Sequence, residues 1–377
     1  MCTLTRSLTA AIGEGEQPDC DSQRRELPED VSDSRTRHRH DYHRHRHPVF
    51  LGEIEDRDSH RQVTTLPNPR RIAIGATAHR ALATRLHELR SDLEIRGKPY
   101  TEMTTDDLAW ADTYVGFRRP PLPTMGNVRW VHCTGAGVDS WLYPTELPRD
   151  ILLTRTSESF GPYIAEWALS RALAFRQRLL ELAEMQRRHE WKPADVRYLR
   201  GTRAVVVGTG DIGSSIARVF STLGVEVHGV SRSANGDSAL FTSTSKVSDL
   251  RTLVAAADWL IVTLPLTSAT RGLVSRDILS ACRGAVLMNT GRGAVVDEAA
   301  IPEALSNGWL AGAALDVFAV EPLPADSPLW DDPRVMISPH ISGPTTIDGA
   351  IDGFLECLAE IERGQTPAWA VDRDREY

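Results

Sequence analysis

The chain has 377 residues, of which 41% are hydrophobic and 25% charged, and its formal net charge at pH 7 is −8. This length supplies two domains with a large core, and the negative charge gives no global attraction to nucleic acid or to an anionic membrane. No apolar run approaches the ~20 residues of a membrane span, and the N-terminus lacks the basic start and apolar stretch of a signal peptide. The five cysteines show neither metal-site nor disulfide spacing, so we expect a cytoplasmic protein without a resident metal.

Residues 1–66 differ in composition from the rest of the chain. They are polar, interrupted by proline, glycine and serine, and without apolar periodicity, so burial cannot offset the entropy of ordering them and we predict a disordered tail. A tract rich in arginine and histidine within it contains His38, His40, His43, His45 and His47. These side chains could bind a transition metal, and the arginines could contact nucleic acid weakly. We favour a solvated tail or an untranslated stretch over such a site, because the tract lacks fixed ligand geometry.

Strand-like and helix-like segments alternate from residue 70 onward. Strands are predicted at 70–76, 111–117 and 128–142, with a helix at 79–89 after the first of them. One long helix is predicted over 161–191, with Pro162 in its first turn, where proline is tolerated. Such a helix could bridge two domains and provide a dimer face.

A second α/β unit begins near residue 200. Its later strands are predicted at 258–266, 284–291, 310–318 and 334–340, and a final helix at 345–363. Gly208, Gly210 and Gly213 form a G-x-G-x-x-G turn between the apolar strand AVVVG and an amphipathic helix, and a second strand follows. In that context the glycines indicate a dinucleotide site, with the diphosphate at the N-terminus of the helix.

The residues after the second strand of this unit bear on the choice between NAD and NADP. An NAD site usually has an acidic residue there, whereas this chain has Ser231, Arg232 and Ser233. An arginine and two hydroxyls suit a 2′-phosphate, so NADP is the predicted preference. The alternative for Arg232 is an exposed arginine on a loop, which leaves NAD possible.

Three polar residues follow successive predicted strands: Arg292, Glu321 and His340. Ligands of open α/β sheets bind beyond the carboxyl ends of the strands, so these side chains are expected to converge. Arg292 offers a fork for a carboxylate, His340 can exchange a proton near neutral pH, and Glu321 could favour the protonated imidazole. Taken singly, each has a structural explanation; beside a nicotinamide site the set indicates catalysis.

Over roughly residues 70–365 the chain resembles the D-isomer-specific 2-hydroxyacid dehydrogenase family. The motifs that carry the resemblance are VGTGDIGSSIA, LPLTSATRGLV, MNTGRGAVVDEAAIPEAL, GAALDVFAVEPLP and MISPHISG. The resemblance implies that Arg292 binds the substrate, that His340 is the acid/base and that Glu321 is its partner. It also implies that the backbone amides of Ala136 and Gly137 receive the substrate carboxylate. The implied cofactor contacts are Asp211 and Ile212 at the pyrophosphate, Leu264, Pro265 and Thr270 along the cofactor, and Thr290 and Asp316 beside the nicotinamide.

The family resemblance also implies a domain organisation. A Rossmann nucleotide-binding domain at 161–344 is expected to interrupt a flavodoxin-like substrate domain made of 67–160 and 345–377. The long tail and the missing acidic residue after the second strand depart from the common family pattern. The chain stops without the C-terminal regulatory domain of some phosphoglycerate dehydrogenases, which disfavours a role in serine biosynthesis.

We therefore interpret the chain as an NAD(P)-dependent oxidoreductase that moves a hydride between nicotinamide and C2 of a small 2-hydroxy or 2-oxo acid. NADPH-linked reduction of glyoxylate or hydroxypyruvate by a homodimer is the favoured form, with specificity set near Phe117, Arg118 and Trp141. A dinucleotide-sensing, corepressor-like regulatory protein of the same fold is the alternative. Formate dehydrogenase is disfavoured, because that related group has glutamine where Glu321 stands.

Overall fold

Two parallel β-sheets organise the protein in the computed structural model, which describes residues 66–156 and 160–377. The predicted tail and its histidine tract therefore lie outside the described residues, apart from Leu66 at its end. Within the described ranges, no helix is both long and apolar enough to cross a bilayer.

The first sheet contains five strands in the order β2-β1-β3-β4-β5. Their bounds are Arg71–Gly75 (β1), Glu94–Lys98 (β2), Thr113–Val115 (β3), Trp130–Cys133 (β4) and Leu152–Arg155 (β5). The order 2-1-3-4-5 is that of flavodoxin-like sheets. This sheet and the helices packed on it are called the first lobe, and the second sheet with its helices the second lobe. The helices of the first lobe before residue 156 are His79–Leu89 (α1), Thr105–Trp110 (α2) and Asp139–Leu142 (α3). The strand predicted over 128–142 is thus too long: it ends at Cys133, where a glycine-containing loop turns the chain into α3.

The single helix predicted over 161–191 is wrong. The segment forms two helices, Gly161–Arg176 (α4) and Leu179–Arg187 (α5), separated by Arg178 in the left-handed conformation with φ 56°. Contacts with a later segment end α4: the Gln177 side chain donates to the Arg197 carbonyl (2.9 Å), and the Arg197 N–H donates to the Arg176 carbonyl (2.8 Å). These bonds offset a left-handed arginine, which costs about 1–2 kcal/mol.

The second sheet contains seven strands in the order β12-β11-β10-β9-β6-β7-β8. Their bounds are Arg203–Val207 (β6), Glu226–Ser231 (β7), Ser243–Lys246 (β8), Trp259–Val262 (β9), Ala285–Asn289 (β10), Leu310–Leu315 (β11) and Val335–Ile337 (β12). The accompanying helices are Asp211–Thr222 (α6), Leu250–Val254 (α7), Arg276–Ala281 (α8) and Ile301–Ser306 (α9). When β6 is counted as strand 1, the sheet read from β8 to β11 has the order 3-2-1-4-5-6, which is that of the Rossmann fold. The last strand, β12, is an added edge strand.

The last helix, Ile347–Glu362 (α10), returns to the first lobe. It packs against α1 and β5, and its Phe354 ring stacks on Trp130 of β4 with centroids 4.8 Å apart. The predicted fold class, a Rossmann unit combined with a flavodoxin-like unit, is confirmed. The exact domain boundaries at 160/161 and 344/345 stay a prediction.

Candidate active site

The turn between β6 and α6 lies where the strand order of the second sheet reverses, the usual ligand crevice of such sheets. Gly208 has φ 111°, and a Cβ on Gly213 would lie 1.8 Å from the Gly208 carbonyl oxygen. A Cβ on Gly210 would meet no atom within 4 Å, so the loop surface is open there. The twelve-residue helix α6 adds free N–H groups and a favourable dipole at this point. The turn therefore fits the diphosphate of a dinucleotide.

The two residues that follow Gly210 lie in different surroundings. The N–H of Gly161, at the start of α4, stabilises the carboxylate of Asp211; burial raises the pKa of Asp211, and this contact opposes the rise. Ile212 instead lines the large cavity described below. Asp211 thus links the first turns of α4 and α6, which leaves its backbone rather than its side chain for an anion.

The end of β7 presents a hydroxyl and a cation. The Ser231 hydroxyl accepts from the Asn235 N–H and donates to the Asn235 carbonyl, both at 3.0 Å, so it shapes the loop. Arg232 is exposed, and its guanidinium carbon lies 5.7 Å from the centre of the Tyr377 ring. Arg232 is therefore the more accessible of the two for a bound phosphate.

The loop after β9 is held by its own polar groups. The Thr270 hydroxyl donates to the Pro265 carbonyl (2.6 Å) and accepts from the Thr267 N–H (2.8 Å). A Cβ on Gly291 would lie 2.4 Å from the Leu264 carbonyl oxygen. The backbone of this loop is thus held closely against the turn after β10. The predicted cofactor contacts Leu264, Pro265 and Thr270 belong to this loop, at the edge of the crevice.

A cavity of about 580 Å³ opens between the two sheets. Residues of both lobes line it, among them the predicted site residues Ala136, Gly137, Ile212, Thr290, Arg292, Glu321 and His340. The parallel pairing of β9 to β12 explains why Thr290, Arg292, Glu321 and His340 converge, because these residues follow strands that end at the same edge. Ala136 and Gly137 come instead from the loop after β4 of the first sheet. The lining runs from Phe117 to Thr345, so residues 228 positions apart in the sequence share one cavity.

Two residues expected beside the nicotinamide or over the substrate, Asp316 and Trp141, do not line this cavity. Asp316 is fully buried, and its carboxylate accepts the Ser338 hydroxyl (2.5 Å) and the N–H groups of Ile341 (3.0 Å) and Ser342 (2.8 Å). It fixes the loop on either side of His340. Of the three residues near which specificity was expected, Phe117 and Arg118 line the cavity, whereas Trp141 is fully buried in the first lobe, edge-on to Tyr114 at 5.5 Å.

His340 and Glu321 form a hydrogen-bonded pair. The Nδ1 atom of His340 lies 2.9 Å from Oε2 of Glu321, whose Oε1 accepts the Phe318 N–H at 3.1 Å. Burial raises the pKa of Glu321, but the bonds from His340 and from the Phe318 N–H outweigh it and place that pKa below its ordinary 4.5. An ionised carboxylate only accepts, so Nδ1 carries the proton and Nε2 is left for the cavity.

Arg292 lies across the cavity, at the turn after β10. Its Nε donates to Oδ1 of Asp139 (2.8 Å), and one Nη donates to the Gly291 carbonyl (2.8 Å). The amide of the buried Asn289 shapes this turn, accepting from the Gly291 N–H and donating to the Arg292 carbonyl, both at 3.1 Å. The guanidinium is thereby fixed before any substrate binds.

Comparison with known proteins places this geometry in a family. Residues 169–342 match the model of the D-isomer specific 2-hydroxyacid dehydrogenase, NAD binding domain. The chain is 34% identical over 264 residues to glyoxylate/hydroxypyruvate reductase A of Serratia proteamaculans, covering 67% of this chain and 84% of that protein. The chain belongs to the D-isomer-specific 2-hydroxyacid dehydrogenase family.

Solved structures of the family are similar over most of the chain. A D-isomer specific 2-hydroxyacid dehydrogenase of Xanthobacter autotrophicus Py2, in complex with NADPH and MES, has a TM-score of 0.73 and 29% identity, covering 82% of this chain and 100% of that one. An NADPH-dependent glyoxylate/hydroxypyruvate reductase of Sinorhizobium meliloti, with NADP and sulfate, has a TM-score of 0.74 and 25% identity over the same shares.

Family membership establishes the reaction class predicted from the sequence. The protein is an NAD(P)-dependent oxidoreductase that transfers a hydride between nicotinamide and C2 of a small 2-hydroxy or 2-oxo acid. The cavity has the parts this reaction needs: a fixed cation, an imidazole with one nitrogen free, and a dinucleotide turn beside them. In the described ranges, no group of three or more histidine, cysteine, aspartate or glutamate residues is placed to hold a metal ion.

Sequence reasoning overlooked two residues that position Arg292: Asp139 and Asn289. Asp139 is the acid of the TGAGVD stretch, and Asn289 is the polar end of an otherwise apolar strand. The contact of Asp139 with Arg292, 153 positions apart in the sequence, depends on how the two lobes meet. The contacts of Asn289 are local to the turn, so a polar side chain at the end of an apolar strand was the signal that could have identified it.

Proposed function

We propose that this dehydrogenase reduces a small 2-oxo acid, glyoxylate or hydroxypyruvate, with NADPH. The observation that carries the proposal is the single cavity in which Arg292 and the Glu321–His340 pair face the Ala136–Gly137 backbone, beside the dinucleotide turn. The names of the relatives from Serratia proteamaculans and Sinorhizobium meliloti support the same substrates.

Each residue has a role in this proposal. The bound cofactor supplies the hydride. Nε2 of His340 donates the proton to the developing alkoxide on C2, and Glu321 holds the ring and stabilises its charged form. Arg292 and the amides of Ala136 and Gly137 bind the substrate carboxylate, which orients C2 and stabilises developing charge. Thr290 and Asp316 are assigned to the nicotinamide end, Thr290 at the cavity wall and Asp316 through the loop that it holds.

The cofactor contacts follow the crevice. Gly208, Gly210, Asp211, Ile212 and Gly213 are assigned to the pyrophosphate, and Leu264, Pro265 and Thr270 to the cofactor edge. Arg232 and Ser231 are assigned to the 2′-phosphate, because Arg232 is an exposed cation at the end of β7, where an NAD site would have a carboxylate. The structures solved with NADPH and NADP support this preference.

Arg232→Ala is expected to weaken NADPH binding much more than NADH binding, because it removes a charge that only the 2′-phosphate needs. The measurement is the dissociation constant of each cofactor by fluorescence titration. Arg283→Ala is the matched control: Arg283 is also exposed, but it precedes β10 at the opposite edge of the sheet. Equal loss for both cofactors, or a wild-type preference for NADH, contradicts the assignment.

A homodimer in the cytoplasm completes the proposal. Four leucines at the end of α4 and along α5 are exposed, at 37%, 49%, 53% and 37%: Leu173, Leu179, Leu180 and Leu182. An apolar patch of this kind on adjacent helices favours burial against a second copy of the chain. Three free cysteines in the described ranges, all buried, suit a reducing compartment.

A screen of 2-oxo acids with NADPH and with NADH tests the proposed function. We expect turnover of glyoxylate or hydroxypyruvate, faster with NADPH. The regulatory alternative expects cofactor binding without turnover of any acid, so tight NADPH binding with no oxidation across the panel would overturn the proposal.

A further inference from the structure

Arg292 and Asp139 form an ion pair between the two lobes. Arg292 follows β10 of the second sheet, whereas Asp139 is the first residue of α3, 153 positions earlier. The pair is mostly shielded, with side-chain exposures of 18% for Arg292 and 29% for Asp139. The ion pair therefore joins the loop that carries Ala136 and Gly137 to Arg292, the cation that is proposed to bind the substrate.

The contacts of Arg292 determine which of its donors are available. A guanidinium has five N–H groups. The Nε hydrogen goes to Asp139, and one Nη1 hydrogen goes to the Gly291 carbonyl. The edge that contains Nε is therefore taken. Three N–H hydrogens, one on Nη1 and two on Nη2, are still available as donors. The edge of the guanidinium between Nη1 and Nη2 can therefore act as a bidentate fork for a carboxylate.

Gly137 determines where this fork lies. A Cβ at position 137 would be 1.7 Å from Nη2 of Arg292 and 3.0 Å from Oδ1 of Asp139. The guanidinium thus lies directly against the backbone whose N–H groups are assigned to the substrate carboxylate. The ion pair with Asp139 and the absence of a side chain at Gly137 together allow the Arg292 guanidinium to lie beside the backbone amides of Ala136 and Gly137.

We propose that Asp139 is a positioning residue that occupies the Nε edge of Arg292 and thereby directs its Nη1/Nη2 fork at the substrate carboxylate. This inference rests on the proposed role of Arg292 as the carboxylate site. In this proposal Asp139 acts through Arg292. It ensures that a 2-oxo acid meets one edge of the guanidinium in one orientation, with C2 facing His340 and the nicotinamide.

The test compares Asp139→Ala with Asp139→Asn. Asp139→Ala frees the Nε edge, and we expect kcat/KM for glyoxylate to fall about 100-fold, the scale of a misplacement of about 1 Å. Asparagine still accepts the Nε hydrogen through its amide oxygen, so Asp139→Asn is expected to recover most of that loss. Asp106→Ala is the matched control, because Asp106 is also an acid in the first turn of a short helix of the same lobe and does not line the cavity.

A double-mutant cycle with Arg292→Ala tests whether Asp139 affects substrate binding through Arg292. The readout is the affinity for oxamate, an unreactive 2-oxo acid analogue, in the presence of NADPH, together with NADPH affinity and Tm. We expect Asp139→Ala to weaken oxamate at least tenfold in the wild-type background and to have no further effect once Arg292 is alanine.

Additive losses, or unchanged oxamate affinity in a folded Asp139→Ala protein, would overturn the inference. If Asp139→Ala does not fold, the Asp139→Asn protein decides: kcat/KM and oxamate affinity close to wild type support the inference, and losses as large as those of Arg292→Ala contradict it. Failure of the proposed function is distinguishable, because it appears as oxamate binding without turnover in the wild type.

Discussion

Replacement of His340 by alanine is expected to lower kcat about 100- to 10,000-fold, the usual contribution of a positioned acid/base, while NADPH affinity stays near the wild-type value. The proposed proton donor is lost, but the pyrophosphate contacts are assigned to the turn at Gly208–Gly213 and not to His340. The measurements are single-turnover rates and cofactor titration. A His340→Ala protein that reduces 2-oxo acids at the normal rate contradicts the assigned proton path.

Glu321→Gln tests the partner of His340 through pH dependence. As the proposed proton donor, His340 must begin reduction in its charged form, so reduction is expected to slow at alkaline pH. The Glu321 carboxylate favours the charged ring, and since its own pKa lies below 4.5 it stays ionised through the neutral range. Glutamine can still accept the Nδ1 hydrogen, but it has no charge, so the alkaline limb is expected to move to lower pH with activity retained on the acidic side. An alkaline limb that does not move shows that Glu321 is not the partner.

The second large effect is expected at the dinucleotide turn. A Cβ on Gly213 would lie 1.8 Å from the Gly208 carbonyl oxygen, a backbone atom that cannot move without displacing β6 or α6. Gly213→Ala is therefore expected to lower the free energy of unfolding by about 1–3 kcal/mol, the usual cost of overpacking. It should also abolish NADPH binding at concentrations that saturate the wild type. Thermal unfolding and cofactor titration measure the two effects.

Gly210→Ala is the matched control within the same turn. A Cβ there meets no protein atom within 4 Å, and the backbone angles of Gly210, φ −74° and ψ −161°, are open to alanine. The cofactor-free protein should keep its Tm. NADPH should bind more weakly, because the methyl group occupies the open side of the loop where its pyrophosphate is assigned. A large loss of Tm in this variant would contradict the view that position 210 is open whereas position 213 is closed in by the protein.

The central parts of the fold and site could be predicted from local signals. The turn at Gly208–Gly213 follows from glycine spacing between an apolar strand and an amphipathic helix, and the structure has β6 and α6 on either side of it. The convergence of Arg292, Glu321 and His340 follows from parallel strands that end at one edge. These inferences needed only the period of each element and the direction of the sheet.

Other features depend on contacts between distant segments and leave no local pattern. The edge strand β2 has the sequence EIRGK and is only partly buried, so it lacks an apolar run. The break at Arg178 arises from bonds with Arg197, and the burial of Trp141 arises from its packing on Tyr114. The Asp139–Arg292 pair exists only because the two lobes meet, so no spacing in the sequence identifies it.

The central claim is that hydride passes from the nicotinamide to C2 of a 2-oxo acid in the cavity between the two lobes. The most direct measurement uses NADPH carrying deuterium at the transferable C4 position, with hydroxypyruvate as acceptor and the product analysed by NMR. The account predicts D-glycerate with deuterium on C2, and deuterium transfer lowered about 100-fold or more in the His340→Ala protein. A glycerate product without deuterium on C2, or labelled NADPH that binds and is never oxidised by any 2-oxo acid, would contradict it.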